Sequence, residues 1–403
     1  MTDHRPFGDL LAYPLRSGVT VAADSRGTGI KMLNMGELFR YPRIPAIEMA
    51  RVEVNVADPE RVLLQPDDLM FARRSLTLEG AGKCSIVKEI DEATTWESSI
   101  IRARLDKRMA HPPYYFYYFE SPIGRRAVET IVEQVAAAGI RLSELRKLRV
   151  PVPELAEQRA IAEVLGALDD KIAVNITIAN TAEAVLAAEF AATGIDEEPE
   201  NLDAAISLRN LVELNPAVSQ PSEAEPVYVD MQKLPVSGMS ITDWTTRPAK
   251  GGTRFENGDT LLARITPCLQ NRKTGYVDFL NKGQVALGST EYVVLRSRPH
   301  VPVELSYFLA ISERFRSFAI RHMVGTSGRQ RVSASDLAGF QLTSPVPSLL
   351  EAFGSKSRRL FALVKSQRDE NRTLSGIRDA LLPQLMSGKI RVKDAEKTVE
   401  EVL

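Results

Sequence analysis

Cysteine, histidine and tryptophan are scarce in this 403-residue chain, at two, four and two residues. Cys84 and Cys268 lie far apart, which excludes a disulfide framework or a zinc cluster, and both are expected as small reduced core residues. His4, His111, His300 and His322 form no close pair, so neither histidine-metal nor Ser-His-Asp chemistry is encoded. No uncharged apolar run reaches the ~18 residues of a membrane span, and Met1-Thr2-Asp3-His4-Arg5-Pro6 lacks the apolar core of a signal peptide. A soluble protein of a bacterial-type cytoplasm, with no membrane partner, is expected. Net charge is also nearly absent, at -1 from 51 basic and 52 acidic residues.

That balance hides a segregation. Residues 101–150 hold ten basic and five acidic side chains, 151–200 hold two and eleven, and 247–342 hold fourteen and seven. Two basic stretches flank an acidic one, an arrangement that suits a polyanionic partner. The chain is also long enough for two or more domains.

It says one thing twice. Pro66-Asp67-Asp68-Leu69-Met70-Phe71-Ala72-Arg73 returns as Asn257-Gly258-Asp259-Thr260-Leu261-Leu262-Ala263-Arg264, and each copy is followed by a serine-acid-leucine segment, a proline pair and a long helical stretch. Short apolar runs bounded by turn residues predict strands at 30–33, 68–72, 85–87 and 99–101, and again at 227–229, 260–263 and 291–295. Helical stretches are expected from Tyr114 to Val135 and from Glu304 to His322. Each copy is then an α+β domain, and the pair predicts a pseudo-twofold molecule.

The helical stretches carry heptad-like seams. Ile161, Leu165, Leu168, Ile172, Asn175, Ala179, Ala182 and Leu186 form one. Leu350, Phe353, Ser357, Leu360, Val364, Gln367, Asn371, Leu374, Arg378, Leu381 and Leu385 form the other. With a globular domain between them, an antiparallel coiled coil is the economical pairing, and Asn175, Gln367 and Asn371 are candidate register pins. Such a rod, about 35 residues at ~1.5 Å each or roughly 50 Å long, would hold two domains at least one turn of a duplex apart, near ~34 to 36 Å.

The string from Pro151-Val152-Pro153-Glu154-Leu155-Ala156-Glu157-Gln158-Arg159 into Leu168-Asp169-Asp170-Lys171-Ile172 resembles the first conserved region of the specificity subunits of type I restriction-modification systems. Leu381-Leu382-Pro383-Gln384-Leu385-Met386-Ser387-Gly388-Lys389-Ile390 is similar to their second. The second copy departs at Pro345-Val346-Pro347-Ser348-Leu349-Leu350, which lacks the Glu-Gln pair, and Ala179 and Ala182 replace the family's usual asparagine and leucine. The resemblance implies target-recognition domains at 1–153 and 196–347, helices at 154–195 and 348–392, and a tail at 393–403. It further implies a non-catalytic subunit that reads bipartite double-stranded DNA, one half per domain, and docks two methyltransferase subunits. Restriction or translocase subunits join these in some systems. S-adenosylmethionine, and ATP with magnesium, belong to those partners.

Two motifs that hint at catalysis fail on chemistry. Gly80-Ala81-Gly82-Lys83-Cys84 has Thr77 and Cys84 where a phosphate loop needs glycine and Ser or Thr. His111-Pro112-Pro113-Tyr114 lacks the amide with which amino-methyltransferases hold a flipped base, and no Gly-rich cofactor loop accompanies it. A proline turn opening an aromatic helix is expected there instead. Candidate DNA readers follow the repeated strand: Arg73, Arg74, Ser75 and Lys83 in the first copy, and Arg264, Thr266, Gln270, Arg272 and Lys273 in the second. Ser327, Arg329 and Gln330 lie in a later glycine-bearing segment. Arg73 and Arg264 are the leading pair, with ion pairs to Asp68 and Asp259 as the structural alternative. Two other functions fit parts of the chain: recognition for a fused methyltransferase-nuclease partner, and a coiled-coil scaffold without nucleic acid.

Overall fold

The computed structural model describes residues 3–402 apart from 23–24, 55, 57, 135–137, 202–204 and 327. It divides into two compact units, Met1–Lys171 with Leu374–Leu403, and Ile172–Thr373. The chain passes between them along two long helices, Leu155–Ala192 and Pro347–Met386, so each unit holds part of both.

Unit 1 is organised by a five-stranded sheet in the order Arg16–Ser17, Ile100–Ala103, Leu69–Ala72, Cys84–Val87, Arg43–Ile44. The central strands are wholly buried, as continuous apolar runs require when both faces are covered. Phe7, Phe71 and Phe119 pack edge to face, with centroids 4.9 to 5.9 Å apart, joining this sheet to the helix Pro112–Glu120. Unit 2 repeats the plan with a sheet in the order Val212–Leu214, Tyr292–Ser297, Thr260–Ala263, Thr274–Tyr276.

The duplication extends to single hydrogen bonds. Ala72 faces Ile100 across the sheet as Ala263 faces Tyr292, and Leu69 faces Ile86 as Thr260 faces Tyr276. Asp67 and Gly258 open the strand in the left-handed region, at φ 75° and 94°. The buried Asp68 carboxylate accepts from Arg104 Nε (2.7 Å), Arg104 Nη2 (2.8 Å) and the Gln65 N–H (2.8 Å). The buried Asp259 carboxylate accepts from Arg296 Nε (2.7 Å), Arg296 Nη2 (2.8 Å) and the Glu256 N–H (2.8 Å). These aspartates are thus occupied by Arg104, just past the end of the neighbouring strand, and Arg296, within it, and the alternative pairing with Arg73 and Arg264 does not occur.

The helical stretches expected at 114–135 and 304–322 are each broken into two helices. Ser121 ends Pro112–Glu120 and caps Pro122–Glu129, and Ser312 ends Leu305–Ile311 and caps Glu313–Arg321. Each serine Oγ accepts from a backbone N–H three residues on, at 3.2 and 3.1 Å. The chain then turns extended at Val132–Gln134, and Val135 lies outside the described residues.

Within unit 2 the long helices run antiparallel. Asn175 Nδ2 donates to Glu370 Oε2 (2.8 Å) and Asn371 Oδ1 (2.9 Å), while Glu189 pairs with Lys356. Gln367 takes no part in that link, and its Oε1 is buried without a partner. Leu186, Phe353 and Val364 are buried there; Leu360, Ile172, Gln367 and Asn371 are half-buried. In unit 1, Ile161, Leu165, Leu168, Leu374 and Leu381 are buried, and Asp169 binds the Tyr117 hydroxyl (2.7 Å) and Arg378 (2.8 Å). Gln158, fully buried, explains why a glutamine follows the proline pair. Its Oε1 accepts the His111 N–H (2.8 Å), and its Nε2 donates to the carbonyls of Pro153 (2.9 Å) and Met109 (3.2 Å).

Candidate nucleic-acid interface

In both units the repeated strand leaves its sheet through an arginine and joins a second structure. The Arg73 N–H donates to the Ser99 carbonyl (2.8 Å) and its own carbonyl accepts from Ile140 (3.0 Å). Arg264 does the same with Glu291 (3.0 Å) and Val332 (3.0 Å). Arg74–Ser75 then pairs with a hairpin of Val132–Gln134 and Ala138–Ile140, and Ile265 bridges to Arg331 at the corresponding place. Each unit therefore presents one edge made of a strand exit, a hairpin-like segment and a loop returning to the sheet.

The candidate readers divide on this edge. Lys83 and Lys273 occupy equivalent positions, since their carbonyls accept from Ala72 (2.9 Å) and Ala263 (3.0 Å). Their ammonium groups are turned inward to the carbonyls of Phe39 (3.2 Å) and Met231 (2.5 Å). Ser75 Oγ accepts from the Thr77 N–H (3.2 Å), and Thr266 donates through N (3.0 Å) and Oγ1 (3.2 Å) to the Gln330 carbonyl. Arg272, with φ 62°, pairs with Glu313. Arg74, Gln270 and Arg329 are exposed, and Ser327 lies outside the described residues.

The two leading arginines differ. Arg73 is half-exposed with only a long contact to the Ser98 carbonyl (3.5 Å). Arg264 shares Glu291 with Arg331: Arg331 Nη2 lies 2.7 Å and Arg264 Nε 3.3 Å from its carboxylate. Hydrogen bonding from Arg331 holds the Glu291 carboxyl below the ordinary range, against a weaker opposing effect of burial. Two cations over one carboxylate leave the group net positive. Beside it a cleft of about 340 Å³ is lined by Arg254, Arg264, Thr253, Thr290 and Tyr292. Arg254, whose Nη1 donates to the Val218 carbonyl (2.9 Å), has no carboxylate partner among the described residues. Neither it nor the Arg331–Glu291 pair was a sequence candidate, because strand pairing brings them together over 40 residues.

The catalytic motifs dissolve in the structure. Gly80–Lys83 leads into a buried strand rather than a helix, and Cys84 is buried, which pushes its thiol pKa up. Cys268 is only partly buried. Tyr114 to Phe119 are core residues of a helix opened by Pro112. Among the described residues no group of His, Cys, Asp and Glu could hold a metal, and no helix is long and apolar enough to cross a membrane.

Residues 51–184 match the model of the type I restriction modification DNA specificity domain. The type I restriction enzyme EcoKI specificity subunit of Escherichia coli (strain K12) is 29% identical over 186 residues, 44% of this chain and 40% of that one. Over these residues the chain resembles the specificity subunits of type I systems. A second member, the MjaIX specificity subunit of Methanocaldococcus jannaschii, is 22% identical over 309 residues, 70% of this chain and 69% of that one. The matches span 40% and 36% of the lengths of the EcoKI and EcoEI specificity subunits. The S subunit of a type I system from M. genitalium has the same fold, with TM-score 0.58 at 16% identity over 96% of each chain. The shared fold is two α+β units with two long helices.

Proposed function

We infer that this chain is the DNA sequence-specificity subunit of a type I restriction-modification complex. The observation that carries this is the duplicated edge, one per unit, on which Arg73 and Arg264 stand at equivalent strand exits, with Arg74 beside the first and Arg331 on the segment paired beyond the second. Residues 1–153 and 196–347 are the target-recognition domains, each reading one half of a bipartite site. The helices at 154–195 and 348–392 dock two methyltransferase subunits, and 393–403 is a tail. Arg73, Arg74, Arg264, Gln270, Arg272 and Arg329 carry the direct contacts with base edges and phosphates. Ser75, Lys83, Thr266, Lys273 and Gln330 shape the edge that presents them, and Ser327 belongs to the same segment as Arg329.

Docking is supported by the first long helix in unit 2. From 172 to 188 its only charged residue is Glu183, which accepts from the Tyr307 hydroxyl (2.6 Å), while Val174, Ile176, Ile178 and Val185 are exposed. An uncharged exposed helix face of that length marks a protein contact. The chain supplies no catalysis: S-adenosylmethionine is bound by the methyltransferase partners, and ATP with magnesium by restriction subunits where present. The complex works in the cytoplasm.

The test is genome-wide mapping of methylated adenine in a host expressing the chain with its methyltransferase, compared with the same host lacking the chain. A split motif, two defined halves around a fixed gap, is expected only when the chain is present. An unchanged methylome would overturn the assignment and favour a coiled-coil scaffold.

A further inference from the structure

The loop that returns from the edge to the sheet differs in chemistry between the units. In unit 2 it carries Gln270, Asn271 and Arg272, all exposed. In unit 1 the same passage, from Ser75 to Lys83, presents Leu76 and Leu78, at 99% and 47% exposure. Among the described residues of unit 1 the one other exposed large hydrophobic is Tyr13, at 40%. Leu76 is the most exposed large hydrophobic side chain of the described residues.

This loop is built, not slack. The Thr77 N–H donates to Ser75 Oγ (3.2 Å) and the Gly80 N–H to Thr77 Oγ1 (3.2 Å), so the polar side chain between the leucines serves the loop itself. Arg125 Nη2 braces it from outside through the carbonyls of Glu79 (2.9 Å) and Ala81 (3.4 Å). A side chain at Gly80 would stand 2.2 Å from Ser75 Oγ, so the closure needs glycine. The leucines are therefore held outward by fixed backbone, between Arg73–Arg74 at one root and Arg125–Arg126 behind.

We propose that Leu76 and Leu78 are specificity-determining residues which read a thymine methyl group in the half-site of the first recognition domain. The exposed Arg74 at the loop's root suits a phosphate, and the thymine C5-methyl is the apolar group that base edges offer in the major groove. The inference rests on the DNA-reading role of this edge. One domain then selects by apolar contact where the other selects by hydrogen bonding.

The experiment uses the full methyltransferase complex with the Leu76→Ser, Leu78→Ser double variant. Its methylation motif is expected to lose the requirement for one T·A pair in one half, by roughly tenfold, with the other half unchanged. The slope of log affinity against log salt stays the same, because no phosphate contact is removed. Deoxyuridine in place of that thymine should weaken the wild type to the same extent and leave the variant unaffected. An unaltered motif, or a loss that is uniform over all sequences with a shallower salt slope, overturns the proposal. Absence of any split motif with the wild-type chain would instead sink the DNA-reading role itself.

Discussion

Asp68→Ala removes three hydrogen bonds at once: two from the Arg104 guanidinium at 2.7 and 2.8 Å, and one from the Gln65 N–H at 2.8 Å. Breaking a buried ion pair from one side costs ~3 to 5 kcal/mol, because the remaining charge stays desolvated. The Arg104 side chain is 9% exposed and keeps Glu60 (2.7 Å), so the lower end of that range, about 3 kcal/mol, is expected. The duplicate gives an internal control. Arg296 is 26% exposed and keeps Glu256 (2.6 Å), so water can reach the guanidinium and Asp259→Ala should cost less, about 2 kcal/mol. The two tryptophans fall one to each unit, Trp96 in the first and Trp244 in the second. In a Trp244→Phe background the urea transition of unit 1 is read from Trp96, and Asp68→Ala should lower its midpoint by about 1 to 2 M. A shift corresponding to less than about 1 kcal/mol, or a larger penalty in unit 2 than in unit 1, would refute the ranking by burial.

Three further outcomes follow from individual contacts. Gln158→Ala orphans the His111 N–H and the Pro153 and Met109 carbonyls in a buried site, and should destabilise unit 1 by about 2 kcal/mol in the same Trp96 assay; Gln158→Glu should be no more stable, since a carboxylate can accept the His111 N–H but buries a charge against two carbonyls to which it cannot donate. Arg264→Ala should weaken DNA binding of the assembled complex by ~1 to 3 kcal/mol and relax preference at one position, so an unchanged affinity by fluorescence anisotropy would exclude base reading. Glu291 has its folded pKa lowered by Arg331, so its contribution is present above the unfolded carboxylate pKa and lost as pH falls through the folded one. The stability gap between wild type and Glu291→Gln, followed by Trp244 in a Trp96→Phe background, should be flat above about pH 5 and shrink below about pH 4; a gap that shrinks as pH rises would contradict the pairing.

The chain's own residue order determined the duplicated strand, the two α+β units and the long helices, because each is written in local periodicity that survives without knowledge of neighbours. Asp68-Leu69-Met70-Phe71-Ala72 and Asp259-Thr260-Leu261-Leu262-Ala263 are legible as buried strands for that reason. Periodicity failed at Ser121 and Ser312, where a capping hydroxyl divides a helix that the apolar pattern runs through. The tertiary structure alone decided the partners of charge. Asp68 and Asp259 choose Arg104 and Arg296 because strand pairing sets those guanidinium groups beside them, 36 and 37 residues away. It also sorted the candidate readers: Lys83 and Lys273 look like surface cations in sequence, yet their ammonium groups are tied to backbone carbonyls. Arg73, Arg74 and Leu76 stand outward because the edge that holds them closes on the hairpin and on the loop's own hydrogen bonds, contacts that no local pattern encodes.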